Sequence, residues 1–194
     1  MKRIVLTVSR EYASGGRTVA QKLGELLGVA VYDKKLIGMI SEQTGFTPEY
    51  VESVEQKPTS SLLYSVYMHS AQLPASDQVF VEQTRAIRSI AEKDSCIIVG
   101  RCADYILRKD PDLLRVFLYA PLDSRERRAV EEYGVAPQKA RAEIRRHDKQ
   151  RAAYYARISE RNWGDYKNYD LLINTDMGLD AAAELIARAV RKEG

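Results

Sequence analysis

The run Ser14-Gly15-Gly16-Arg17-Thr18 has the residue types of an anion cradle. Glycines accept positive φ and let main-chain amides come close to phosphate oxygens. A helix starting beside them adds unpaired N–H groups and the positive end of its dipole. Arg17 brings a permanent charge that can grip phosphate through two hydrogen bonds. Thr18 brings a hydroxyl suited to Mg²⁺, an ion that keeps most of its waters and takes other ligands from phosphate. The surrounding string, "TVSREYASGGRTVAQKLG", lacks the lysine that normally precedes the Ser or Thr of a phosphate loop. Setting Gly16-Arg17-Thr18 on Gly-Lys-Thr puts Glu11 at the first glycine of the motif. Setting Thr18 on the Thr of a Gly-Lys-Gly-Thr variant puts Gly16 at the lysine. Both registers stand open, beside the plainer reading of a strand-to-helix turn.

Two other places carry chemistry. Asp33 directly follows the apolar run 29–32, at the carboxyl edge where open α/β sheets bind ligands, and it is equally placed to cap a helix starting at Lys34. The stretch 139–161, "KARAEIRRHDKQRAAYYARISER", is strongly basic. On a helix Arg145, Asp148 and Arg151 recur at three-residue spacing, so the carboxylate can orient an arginine; a solvated helix laced with ion pairs is the alternative. His69 and His147 have no metal spacing and read as surface or core packing. Cys96 and Cys102 suit neither a disulfide framework nor a zinc site and are expected to be reduced.

The elements that must position these residues follow from periodicity. Five apolar runs (3–8, 29–32, 96–100, 114–120 and 170–174) lack clean polar alternation, as strands buried on both faces do. Helical patterns fill 17–27, 76–93, 123–133, 137–161 and 179–192. Strands alternating with helices predict a parallel sheet with helices on both faces, an α/β fold. The pattern breaks over 44–75, read as an insertion between the second and third strands, with a short amphipathic helix carrying Leu62, Leu63, Val66 and Tyr67.

The chain of 194 residues is expected to form one domain. Its 30 basic and 27 acidic residues nearly cancel, which argues against nucleic acid as a partner. With no apolar run long enough for a signal peptide or a membrane span, a cytoplasmic location is expected.

Taken in order, "SREYASGGRTVAQKLGELLGVAVYDKKLI", "CIIVGRCADYIL", "LRVFLYAPLDSRERRAV", "RRHDKQRAAYYARI" and "YDLLINT" resemble the cytidylate kinase-like family, a branch of the P-loop nucleoside monophosphate kinases. The resemblance runs from about Ile4 to about Ala189. It implies a three-layer P-loop kinase fold with a five-stranded parallel sheet, an acceptor-side insertion at 44–75 and a lid at 137–161. It further implies ATP and Mg²⁺, with Ser14, Gly15, Gly16, Arg17 and Thr18 on the donor phosphates and Thr18 on the metal. Asp33 and Arg101 would face the acceptor nucleotide. The family carries Gly-Arg-Asp where this chain has Gly100-Arg101-Cys102, so Asp104 becomes the stand-in acceptor carboxylate. Asp148 and Arg151 match the lid's Asp-x-x-Arg, with Arg146 beside them for the charge that develops during transfer. The implied activity is phosphoryl transfer from ATP to a nucleoside monophosphate, CMP or dCMP first. The rivals are a small-metabolite kinase on the same scaffold and a nucleotide-binding regulator. A small-molecule substrate is the implied partner, and either a monomer or a homodimer is compatible.

Overall fold

The structure is a computed structural model that describes residues 3–54 and 75–191. Five parallel strands form one sheet in the order β2-β3-β1-β4-β5: β1 (Val5–Arg10), β2 (Ala30–Tyr32), β3 (Cys96–Val99), β4 (Leu113–Tyr119) and β5 (Leu171–Asn174). All five overlap the apolar runs, with β1 starting and ending two residues later than its run. Side chains of a strand alternate between its two faces, and the two cores sort accordingly. Leu6 and Val8 of β1, with Ile97 and Val99 of β3, meet Val19, Ala20 and Leu23 of α1 (Gly16–Leu27) and Ala182, Ala183 and Ile186 of α8 (Leu179–Arg191). Val5, Cys96 and Ile98 face the other way.

That second face is covered by α2 (Lys34–Thr44), α3 (Pro48–Ser53), α4 (Ala75–Lys93), the short α5 (Ala103–Ile106) and the end of α7 (Pro137–Ser159). Tyr154 and Tyr155 of α7 are both buried there, although they are neighbours in sequence. The remaining helix, α6 (Leu122–Glu131), packs beside α7. A small cluster of Ala13, Ala129, Ala140 and Ile144 fastens this helix pair to the loop after β1.

The helical patterns of the sequence do not include α2 or α3: α2, which begins at the Lys34 start that the capping alternative implies, ends where the irregular stretch 44–75 begins, and α3 lies inside that stretch. The amphipathic helix expected around Leu62–Tyr67, and His69, lie outside the described residues. Both cysteines are buried and neither is in a disulfide, and burial pushes the Cys96 thiol up to about 11. Among the described residues no helix is long and apolar enough to cross a membrane.

Candidate active site

The loop after β1 is built so that its carbonyls turn inward. The Glu11 carbonyl accepts from Ser14 N (3.3 Å) and Ser14 Oγ (2.9 Å), and that of Tyr12 from Arg125 Nε at 2.9 Å. Arg128 Nη1 takes the Ala13 carbonyl at 2.8 Å, and Thr175 Oγ1 that of Ser14 at 2.7 Å. The chain enters α1 through Gly15, whose φ of +79° is one that side chains rarely adopt and whose missing Cβ would lie 2.6 Å from Leu179 Cδ2. The Val19 amide bonds back to Gly15 O at 3.0 Å. The amides of Gly16, Arg17 and Thr18 therefore precede the first intrahelical bond and form the open, positive end of α1.

One cleft of about 300 Å³ lies at this end, along the carboxyl ends of the strands. It is walled by the loop from Arg10 to Arg17, by Asp33 and Arg101 on one side, and by Tyr133, His147 and Arg151 on the other. Arg17 and Asp33, expected to serve different substrates, hold each other: Arg17 Nε lies 2.5 Å from Asp33 Oδ2. Asp33 makes no side-chain cap bond to α2, so the capping alternative is not realised. Arg101 is buried on a turn of inverted hand, with φ of +59° followed by +52° at Cys102. The turn is held by Gln83, whose Nε2 donates to the Arg101 carbonyl (3.0 Å) and to Tyr154 Oη (3.1 Å), while Arg101 Nη1 donates to Val51 O at 3.2 Å.

Asp148 does reach the loop, but through a different arginine from the one expected. Its Oδ1 accepts from Tyr12 N at 2.8 Å and its Oδ2 pairs with Arg125 Nη2. Arg125 is buried and also meets Glu11 Oε2 at 2.9 Å. Burial pushes the Glu11 carboxyl up despite this partner. Arg151 sits one turn on and donates from Nη1 to Arg10 O at 2.9 Å. His147 stacks on Tyr12, with centroids 4.1 Å apart, and so forms part of the cleft wall rather than of surface or core. Burial, followed by Arg146 and Arg151, lowers its pKa.

Four expected residues are placed otherwise. Arg146 is exposed and paired with Glu143 at 2.6 Å, outside the cleft wall. Asp104 is enclosed behind the Arg101 turn, its Oδ2 accepting from Tyr155 Oη at 2.7 Å, so it offers no carboxylate to the cleft. The Ser14 hydroxyl is turned to the protein interior. Thr18 is half-buried on the first turn of α1, off the cleft wall. Among the described residues no three His, Cys, Asp or Glu side chains gather as a metal site. A magnesium ion here would depend on phosphate oxygens and water, which suits Mg²⁺.

The sequence reading missed Arg10, Glu11, Tyr12, Gln83, Arg125 and Arg128. Arg10, Glu11 and Tyr12 stand inside the quoted loop, at positions where a glycine template has no side chain to interpret. Arg125 and Arg128 lie in "SRERR", which is indistinguishable by pattern from a solvated charged helix.

The sequence profile of the cytidylate kinase-like family matches residues 5–177. A cytidylate kinase of Methanopyrus kandleri is 28% identical over 182 residues, spanning 89% of this chain and 84% of that protein. The solved structure of an uncharacterized protein from Eubacterium ventriosum superposes with a TM-score of 0.75 at 29% identity, covering 99% of this chain and 100% of that one. The shikimate kinase of Bacteroides thetaiotaomicron shares the fold at a TM-score of 0.61 and 12% identity, covering 97% of this chain and 98% of that one. Read with the five-stranded parallel sheet and the loop that opens α1, these matches establish that the chain belongs to the cytidylate kinase-like family.

Proposed function

We propose that the chain transfers the γ-phosphoryl group of ATP to a nucleoside monophosphate, with CMP or dCMP first among the acceptors. Family and fold support a kinase-type enzyme. The observation that carries the finer reading is that one cleft brings together the start of α1, Arg17, the Asp33–Arg101 side and Arg151. Phosphoryl transfer asks little covalent chemistry of a protein: donor and acceptor are aligned, water is kept out, and positive charge surrounds the moving group.

In this reading the amides of Gly16, Arg17 and Thr18, with the Arg17 guanidinium, take the donor phosphates. Asp33 and Arg101 hold the acceptor, and Arg151 faces the charge that develops. Asp148 acts indirectly, by fixing Arg125 and the Tyr12 amide. Helix α7 serves as the lid, and Arg146 takes part only if closure draws it away from Glu143. Phosphate oxygens and water would hold Mg²⁺, which would supply charge neutralisation along the polyphosphate, and Thr18 would join them only if its hydroxyl turned toward the cleft.

Cys102 favours a second reading. With a buried thiol next to Arg101, and Asp104 enclosed, the acceptor side lacks the carboxylate of the family pattern, which suits a small-metabolite acceptor. ADP release measured over CMP, dCMP, UMP, AMP, shikimate, gluconate and simple alcohols tests both. Turnover with a cytidine nucleotide is expected. Turnover confined to a non-nucleotide alcohol selects the second reading, and no turnover at all leaves a nucleotide-binding regulator.

A further inference from the structure

Arg10 ends β1, and two glycines from different elements frame its side chain. Its Cβ and Cγ each lie 2.7 Å from where a Cβ on Gly16 would stand. Its Nη1 fills the place that a Cβ on Gly100 would take. Gly16 begins the donor-side helix, and Gly100 begins the inverted turn that presents Arg101. The side chain thus runs from the start of α1 to the turn that carries Arg101, its tip at the junction of the main cleft and the smaller chamber behind it. Arg10 accordingly lines both the main cleft and a chamber of about 30 Å³ behind it. Its own carbonyl is held by Arg151. Arg17, the residue that sequence offers as the lysine's substitute, is instead 50% exposed and engaged with Asp33.

We propose that Arg10 is a catalytic residue whose guanidinium contacts the phosphoryl group in transit and takes over the work of the lysine absent from the loop. The proposal rests on the phosphoryl-transfer reading. In that step an oxygen of the acceptor phosphate forms a bond to the γ-phosphorus while the bond from that phosphorus to the β,γ-bridging oxygen breaks. The bonding pair leaves with ADP, and an unprotonated acceptor phosphate has no proton to lose. Negative charge is spread over the equatorial oxygens midway between donor and acceptor. A planar five-donor cation fixed at that midpoint needs no reorganisation as the charge moves, which is the condition under which fixed donors stabilise a transition state most. The two glycines follow from the same geometry: one makes room for the root of Arg10 and the other for its tip.

Arg10→Ala, Arg10→Lys and Gly100→Ala, compared with the wild-type chain, test this. Arg10→Ala is expected to lower kcat by about 10²- to 10³-fold while KM for either substrate changes by no more than about threefold. By calorimetry without acceptor, Arg10→Ala is expected to bind pyrophosphate as before and to lose about tenfold in affinity for tripolyphosphate, whose third phosphate reaches the guanidinium. Gly100→Ala keeps every charge but displaces the tip of Arg10, and is expected to cost about tenfold or more in kcat. Circular dichroism melting separates misfolding from these effects. If Arg10→Ala does not fold, Gly100→Ala and Arg10→Lys decide, and retention of wild-type kcat in both overturns the inference. A wild-type chain that phosphorylates no acceptor removes the transfer reading and this inference together. An active wild type matched by an equally active Arg10→Ala removes the inference alone.

Discussion

Arg17 and Asp33 neutralise each other at 2.5 Å while 50% and 18% exposed, so part of the charge that each could offer a substrate is engaged by the other. If, as proposed, Arg17 serves the donor and Asp33 the acceptor, a donor phosphate that takes Arg17 releases Asp33, and the reverse holds equally, because coupling between two ligands is reciprocal. Asp33→Asn removes the competitor for Arg17. It is therefore expected to tighten tripolyphosphate binding in the absence of acceptor by about 1.4- to fivefold, the range that roughly 0.2–1 kcal/mol for an exposed ion pair allows. Low-salt calorimetry reads this, and an affinity that is unchanged or weaker counts against the coupling. At this scale the sequence was informative about which residues approach the cleft and poor on which way they face. Arg146 and Arg151 sit on one helix in similar basic surroundings, and only packing against the loop turns Arg151 in and leaves Arg146 beside Glu143. Asp104 fails as a stand-in for a different reason. Arg101 and Cys102 both take positive φ, and this inverted turn carries the next carboxylate into the interior, which no offset along the sequence reveals.

Helices α6 and α7 act as a clamp on the loop, and Arg125 is the pin. Its guanidinium meets Glu11, Asp148 and the Tyr12 carbonyl while 7% exposed, so removing one carboxylate leaves a cation short of partners in a desolvated place. Breaking a buried pair from one side costs about 3–5 kcal/mol, and the 21% exposure of Asp148 places Asp148→Ala near the lower figure. For a chain of this length each kcal/mol corresponds to about 2–4 °C, so the melting temperature is expected to fall by roughly 6–12 °C. Asp148→Asn, which keeps an acceptor for the Tyr12 amide, is expected to lose less. Thermal melts by circular dichroism check both, and an Asp148→Ala shift under about 2 °C contradicts the clamp. The central strands β1 and β3 were legible because a strand covered on both faces is apolar almost throughout, whereas α2 was not, although Leu36, Ile37 and Ile40 all lie buried along it. Gly38 inside that helix and Gly45 and Pro48 after it resemble loop punctuation, and tertiary cover from α4 outweighs them.

At the scale of the molecule the fold gathers cations at the carboxyl edge of the sheet and encloses the carboxyl group of Asp104 behind it. Asp104 is 3% exposed, and burial pushes its pKa up, opposed mainly by the hydrogen bond from Tyr155. The Tyr155 hydroxyl is itself pushed upward by burial and then by Asp104, so it stays protonated and donates. The native chain therefore keeps a proton on Asp104 over a range where the unfolded chain has released it. A native state that binds more protons loses stability as pH rises. The contribution of Asp104 is fully present below the ordinary carboxylate value, at about pH 4, and declines as pH climbs through the raised native value. Glu11 is shifted in the same direction, whereas Asp170, held by Arg115, is shifted down and contributes with the opposite sign. The overall profile thus mixes signs, and only a difference between two chains isolates one group. Asp104→Asn preserves an oxygen for Tyr155 and removes the titration. The unfolding free energy of Asp104→Asn minus that of wild type is expected to rise as pH climbs above about 4 and to level off once pH passes the raised native value, measured by urea denaturation at each pH. A difference that stays flat, or one that falls as pH rises, would mean that Asp104 ionises in the native protein as readily as in the unfolded chain, and that its enclosure behind the Arg101 turn carries no electrostatic penalty.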